Sequence, residues 1–74
     1  MKIEYTRSSD ALYVYFKEAY VEKSKEIEDG VVVDFDKNGC IIGIEILNAT
    51  DRFSLSDLVN INIENLPLDL VKTS

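Results

Sequence analysis

The sequence contains no histidine, no tryptophan, one proline and one cysteine among its 74 residues. Without histidine and with a single thiol, a zinc site built from these ligands is excluded. Histidine is also the usual general acid or base near neutral pH, so its absence argues against an enzyme, and no cofactor is expected. Cys40 cannot form a disulfide within one chain, and an unpaired thiol without an export signal favours the cytoplasm.

Cations are also scarce, with 8 Lys and Arg against 14 Asp and Glu and a net charge of −6. Nucleic-acid surfaces need clustered cations to neutralise phosphates, and anionic membranes attract basic segments. Neither nucleic acid nor a membrane is therefore expected as a partner, and no apolar run is long enough to span a bilayer. A small basic protein is the partner that this charge would attract.

Apolar residues alternate with polar ones along most of the chain, which is the period of β-strands. The second such run is apolar on both sides, as in a central strand, whereas the third is short of apolar residues and suits a charged edge. Asp29-Gly30 and Asn38-Gly39 are turn signals between strands. The predicted strands are 2–6, 11–16, 21–28, 31–36 and 40–47.

The alternation stops near residue 49. Ser54, followed three positions later by Asp57, fits a capping box and predicts a short helix at about 54–60. Alternation returns over 60–66 and is compatible with a last strand. The sequence thus predicts one α+β domain, 1–74, mainly an antiparallel β-meander of four to five strands over 1–49 with one short C-terminal helix. So short a chain has a thin core and often depends on self-association.

Asn38-Gly39 favours a two-residue type I′ turn in which Lys37 faces Cys40. A three-residue loop would set the isoleucines of the last strand against outward positions, mixing buried and solvated faces. The two-residue turn instead pairs Val31, Val33 and Phe35 with Ile46, Ile44 and Ile42. The complete predicted core comprises Ile3, Leu12, Val14, Phe16, these six residues and parts of the helix.

The stretch 34–45 also matches the calcium loop of an EF-hand at the first, third, fifth, sixth and twelfth positions. An EF-hand needs flanking helices, whereas these flanks are β-branched and alternate. A hairpin therefore explains the match, because its turn and its outward strand positions use the same residue types. A weak divalent-cation site at Asp34, Asp36 and Glu45 is the remaining metal hypothesis.

Tyr13 and Tyr15 point from one side of the second predicted strand, and the predicted hairpin adds Val32 and Ile41 to that side. One small helix can cover only one face of a sheet, so this face lacks an internal cover. Tyrosine is enriched at interfaces because it combines apolar area with a polar tip. These four residues are the predicted interface of a homo-oligomer (dimer or higher) or of a complex with a protein partner. The alternative is half-buried sheet surface under long side chains.

Three segments resemble a small prokaryotic family known as domain of unknown function 2283. They are the DALY element at Asp10–Tyr13, the turn at Glu28–Gly30 and the segment Gly43–Ala49. Thr6 stands where members often carry an acidic residue. The resemblance covers residues 2–49 and implies a compact β-rich domain with no assigned activity. Some members are encoded beside small proteins resembling ribonuclease-type toxins, so the resemblance also implies an antitoxin-like hypothesis.

The leading hypothesis is a non-enzymatic cytoplasmic module for oligomerisation or protein binding. The alternative is a small enzyme or ligand binder whose pocket forms between subunits. Weak divalent-cation binding is the third hypothesis.

Overall fold

The computed structural model describes residues 1–67 and residue 69, so residues 68 and 70–74 of the predicted domain lie outside it. All strands belong to one antiparallel sheet of order β1-β2-β5-β4-β3, followed by two short helices. The predicted α+β class is confirmed. The strands are β1 (Lys2–Thr6), β2 (Ala11–Tyr15), β3 (Lys23–Glu28), β4 (Val31–Phe35) and β5 (Ile41–Ile46), and the helices are α1 (Ala49–Arg52) and α2 (Leu55–Val59).

The strand order differs from a simple meander because β2 pairs with β5 and not with β3. All six residues of β3 are exposed, so this strand lacks the apolar residues that a central position would bury. It forms an edge of the sheet instead and carries two lysines. Its register shifts between Glu26 and Glu28, and Ile27 at this shift is 57% exposed. Lysines and bulges are common protections of an edge strand against pairing with other chains.

The β4–β5 connection is a three-residue loop, and the predicted two-residue type I′ turn is wrong. The Asp36 N–H donates to the Cys40 carbonyl at 2.9 Å, and the Gly39 N–H donates to the Asp36 carbonyl at 3.0 Å. Gly39 has φ 81°, a value that glycine adopts without steric cost. The Asp36 carboxylate accepts the N–H groups of Asn38 and Cys40, each at 2.9 Å, which stabilises this loop over the shorter one.

A bulge in β5 compensates for the longer loop. Phe35 pairs with Ile41, where Ile42 was predicted, and the register shifts between Asp34 and Phe35. The extra residue restores the pairing of apolar with apolar positions beyond the bulge. The predicted pairs Val31 with Ile46 and Val33 with Ile44 are therefore present.

Among the described residues, the C-terminal part contains two helices where one was predicted. Helix α2 coincides with the predicted helix at 54–60, but Ser54 makes no side-chain cap, and its Oγ lies 2.7 Å from that of Ser56. Helix α1 was not predicted. The stretch 60–66, which was compatible with a last strand, contains no strand in the described part of the chain.

Helix α1 is joined to the β1–β2 turn through Asp10. The Asp10 carboxylate accepts hydrogen bonds from the Tyr5 hydroxyl and the Thr50 hydroxyl, both at 2.7 Å, and from the Thr50 N–H at 3.2 Å. The Asp10 carbonyl accepts the Ala49 N–H at 2.9 Å. Asn48, the residue before α1, makes no side-chain cap, so a carboxylate distant in sequence supplies this function.

The same helix is joined to the β3–β4 turn through Arg52. Its guanidinium lies 3.6 Å from the Glu28 carboxylate and donates to the Asp29 carbonyl. The Leu47 N–H donates to the Gly30 carbonyl at 2.8 Å. Helix α1 therefore connects both turns at one end of the sheet.

The core is smaller than predicted. Leu12, Val33 and Ile42 are buried, whereas Ile3 and Phe16, both predicted to be core, are each 40% exposed. The physical reason is that extensive contacts in residues 1–67 occur only between neighbouring strands, so no helix covers the sheet broadly. The remaining predicted core residues of the sheet, Val14, Val31, Phe35, Ile44 and Ile46, are half-buried, and the predicted contribution of the helix is wrong because α2 has no buried residue.

The substitution Asp10→Asn should lower the melting temperature at neutral pH. Hydrogen bonds from Thr50 and Tyr5 hold the pKa of Asp10 below its usual 3.8, so ionised Asp10 stabilises the fold above that value. This stabilisation is lost as the pH falls through the lowered pKa. Thermal unfolding monitored by circular dichroism should show a gap between variant and wild type that closes on acidification. The exposed Asp57→Asn is the control, and an equal gap there would contradict the assignment.

Candidate functional site

The sheet has two chemically different faces, because residues opposite each other on paired strands share a face. The apolar face carries the predicted core residues. The other face, here called the tyrosine face, consists of two cross-strand rows, each with one residue from every strand. The first row is Lys2, Tyr15, Gly43, Asp34 and Ser24, and the second is Glu4, Tyr13, Glu45, Val32 and Glu26.

Tyr13 lies across the sheet over Gly43. A Cβ atom at position 43 would stand 2.7 Å from the Tyr13 hydroxyl, so only glycine leaves room for this ring. The hydroxyl donates to the Asp34 carboxylate, which also accepts the Ser24 hydroxyl at 2.5 Å. The network thus connects β2 to β3 across two intervening strands.

Tyr15 extends this aromatic surface. The ring centroids of Tyr13 and Tyr15 are 4.2 Å apart, and the Lys2 ammonium lies 4.6 Å from the Tyr15 centroid. That distance is within the range of a cation–π interaction. The Tyr15 hydroxyl is 3.4 Å from the Glu4 carboxylate. The tyrosine face therefore already holds one cation, its own Lys2, between an aromatic ring and a glutamate.

Asp34 and Asp36 have opposite electrostatic environments. Asp34 is 7% exposed, and burial raises the pKa of its carboxyl above 3.8. The pKa of Asp36 is lowered, chiefly by the Cys40 N–H and further by Lys17 and the Asn38 N–H. The Lys17 ammonium lies 3.1 Å from the Asp36 carboxylate. The two aspartates of the calcium-loop pattern therefore serve different parts of the fold.

The three candidate metal ligands are not brought together. Asp34 is occupied by two hydroxyls, Asp36 by the turn and Lys17, and Glu45 lies opposite Tyr13 and Val32. No group of three His, Cys, Asp or Glu suited to a metal ion occurs within the part of the chain that the structure describes. Residues 34–45, which match the calcium-loop pattern, form the end of β4, the hairpin loop and most of β5.

The four predicted interface residues are divided between faces. Tyr13, Tyr15 and Val32 are half-buried and share the tyrosine face. Ile41 is 51% exposed but pairs with Phe35, because the three-residue loop shifts it out of the predicted register. Whether these residues form an interface stays a prediction.

Sequence reasoning missed Ser24 and Gly43 as members of the site. Ser24 was read as part of a charged edge, and nothing in its neighbourhood indicates a bond to a residue ten positions away. Gly43 carried a readable signal, since a glycine inside a strand often marks close approach of another group. A cleft of about 240 Å³ beside the hairpin loop was also not predicted, and it is lined by Ala19, Tyr20, Glu22, Asp36, Lys37 and Asn38.

Comparison of the sequence with known proteins identifies a family. The model of a family described as protein of unknown function (DUF2283) matches residues 2–49. The chain belongs to this family. An uncharacterised protein of Methanocaldococcus jannaschii is 42% identical over 55 residues, which are 74% of this chain and 47% of that protein. The chain thus spans about half the length of this curated relative, and no solved structure matches it.

The segments that carry the DUF2283 resemblance have structural roles in this chain. Asp10 and the Glu28–Gly30 turn hold α1, Gly43 admits Tyr13, and Ala49 is fully buried where α1 begins. These contacts account for the local structure and do not indicate a reaction or a ligand. Among the described residues, no helix is long and apolar enough to cross a membrane.

Gly43→Ala should destabilise the protein by about 1–3 kcal/mol, the usual cost of overpacking. The added methyl displaces the Tyr13 ring and breaks its bond to Asp34. Urea denaturation measures this loss. In a Tyr13→Ala background the same substitution should cost much less, and equal costs in the two backgrounds would contradict the packing account.

Asp34→Asn should change the pH dependence of stability. Because burial raises the pKa of Asp34, the wild type loses stability as the pH rises from 3.8 through the raised value. The variant has no such titration, so its melting temperature should rise relative to that of the wild type as the pH increases over this interval. Parallel melting curves from pH 3 upward test this, and a constant difference would contradict the assignment.

Proposed function

We propose that this DUF2283 protein is a non-enzymatic interaction module whose tyrosine face binds a basic protein. The observation that carries the proposal is the second cross-strand row. It places Glu4, Glu45 and Glu26 on one face, with Tyr13 and Val32 between them. Carboxylates beside aromatic rings are well suited to arginine and lysine side chains.

The charge of the whole chain supports the same partner. A net charge of −6 steers a basic protein towards it, and complementary potentials also select against acidic competitors. Within the chain, the Lys2 ammonium already contacts both the Tyr15 ring and the Glu4 carboxylate, and we propose the same kind of contact for a cation of the partner. A partner's cation would use the same ring and carboxylates.

An enzymatic role has less support. The cleft of about 240 Å³ is smaller than the roughly 300–1,000 Å³ typical of small-molecule sites. Its lining contains two carboxylates, of which Asp36 is already held by the turn and Lys17 and Glu22 is exposed. No observation favours a pocket between subunits over the protein-binding face.

The specific form that we propose is an antitoxin-like subunit acting in the cytoplasm. An acidic face can mask the basic surface with which a ribonuclease-type toxin would hold RNA phosphates. An exposed, unpaired Cys40 is compatible with a reducing compartment.

Pull-down with the tagged chain from its native host, followed by intact mass of the eluate, tests this function. We expect a small basic protein in stoichiometric amount, released by salt because surface charges are screened. The double variant Tyr15→Ser/Glu45→Gln should weaken the purified complex at least about tenfold. Tyr20→Ser/Glu18→Gln is the matched control, since it makes the same changes in the exposed β2–β3 connection. Equal weakening by the control, or no basic partner, would contradict the proposal.

A further inference from the structure

We propose that the apolar face of the sheet is a self-association surface that packs against the same face of a second copy. The face contains two cross-strand rows on the side opposite the tyrosine face, and Phe16, two residues after Val14, extends the same side by strand alternation. Their residues are Ile3, Val14, Ile44, Val33 and Lys25 in one row, and Tyr5, Leu12, Ile46, Val31 and Glu28 in the other.

The first line of evidence is incomplete burial. No large side chain in the described residues is fully buried, and the exposed part of the apolar face includes Ile3 and Phe16 at 40%. Val14 and Ile44, in the central strands, are half-buried, although Leu12 and Val33 of the same rows are 4% and 3% exposed. Central positions of a sheet are the ones that a second layer normally covers.

The second line of evidence is area. The chain exposes 6100 Å², whereas a compact monomer of 8.4 kDa exposes about 4600 Å². A standard interface buries about 800 Å² on each partner, which is less than this surplus of the whole chain, although part of the surplus lies on the exposed stretch 59–66. The molecule is a plate of 38 × 34 × 20 Å, so one broad face is large enough for such a contact.

Charge indicates which face two copies could share. Two chains of net charge −6 repel each other through the tyrosine face, which carries Glu4, Glu26, Asp34 and Glu45. Among the paired residues of the apolar face, the only carboxylate is Glu28, at the rim and beside Arg52. The apolar face is thus where like-charged copies can meet with the least repulsion.

A C-terminal segment is the competing occupant. Ile61 and Ile63 are 56% and 69% exposed, and their stretch of chain alternates like a strand without joining the sheet. If this segment covered the apolar face of its own chain, the protein would be monomeric. The test therefore includes substitutions on both elements.

The experiment is native mass measurement of the full chain by light scattering across a concentration series. We expect twice the chain mass of 8.4 kDa for the wild type. The double variant Ile3→Thr/Val14→Thr, which changes two paired residues of the apolar face, should raise the dissociation constant at least about tenfold. A monomeric wild type at the highest soluble concentration would overturn the proposal.

The matched control is Ile63→Thr/Val32→Thr, which makes the same two changes on the C-terminal segment and the tyrosine face. It should keep the wild-type dissociation constant, and an equal loss of mass in both variants would overturn the assignment to the apolar face. Circular dichroism verifies folding. If the apolar-face double variant is unfolded, Ile3→Thr alone gives the same test, because its side chain is already 40% exposed. The measurement uses no basic partner, so its failure is separate from failure of the proposed function.

Discussion

One turn of helix holds two hairpin turns together at one end of the sheet, and the rest of the fold depends on that connection. Extensive contacts among the described residues occur only between neighbouring strands, and α1 adds a connection between the two hairpin turns that strand pairing does not supply. Asp10 binds the start of α1 and Arg52 binds the opposite turn, so β2, β5 and β4 are aligned where they meet the helix. The pairing registers then place residues from all five strands in the two rows of the tyrosine face.

Much of the sheet could be predicted from the sequence, because alternating residues report directly which strand positions are buried. The pairs of Val31 with Ile46 and Val33 with Ile44 were recoverable for that reason, and the Asn-Gly turn located the hairpin. The length of its loop was not recoverable. Asn-Gly fits both loops, and the choice depends on hydrogen bonds that Asp36 makes to Asn38 and Cys40.

Helix α1 and the hydrogen bonds of Asp34 with Tyr13 and Ser24 could not be predicted from the sequence for a different reason. A four-residue helix shows no periodicity, and its stability comes from Asp10, about forty residues earlier in the chain. Asp34 alternates like any outward residue, yet Tyr13 and Ser24 bury it. The division of the sheet into an apolar face and an acidic, tyrosine-bearing face follows from these pairings. It suits a module that meets its own copy through one face and a basic protein through the other.

Hydroxyl-radical footprinting across a dilution series tests this division of faces most directly, because it reports exposure residue by residue. The account predicts that labelling of Ile3 and Phe16 falls as the concentration rises, while labelling of Tyr15 stays constant. Protection of Tyr15 with unchanged labelling of Ile3 and Phe16 would contradict it, since the copies would then meet through the tyrosine face.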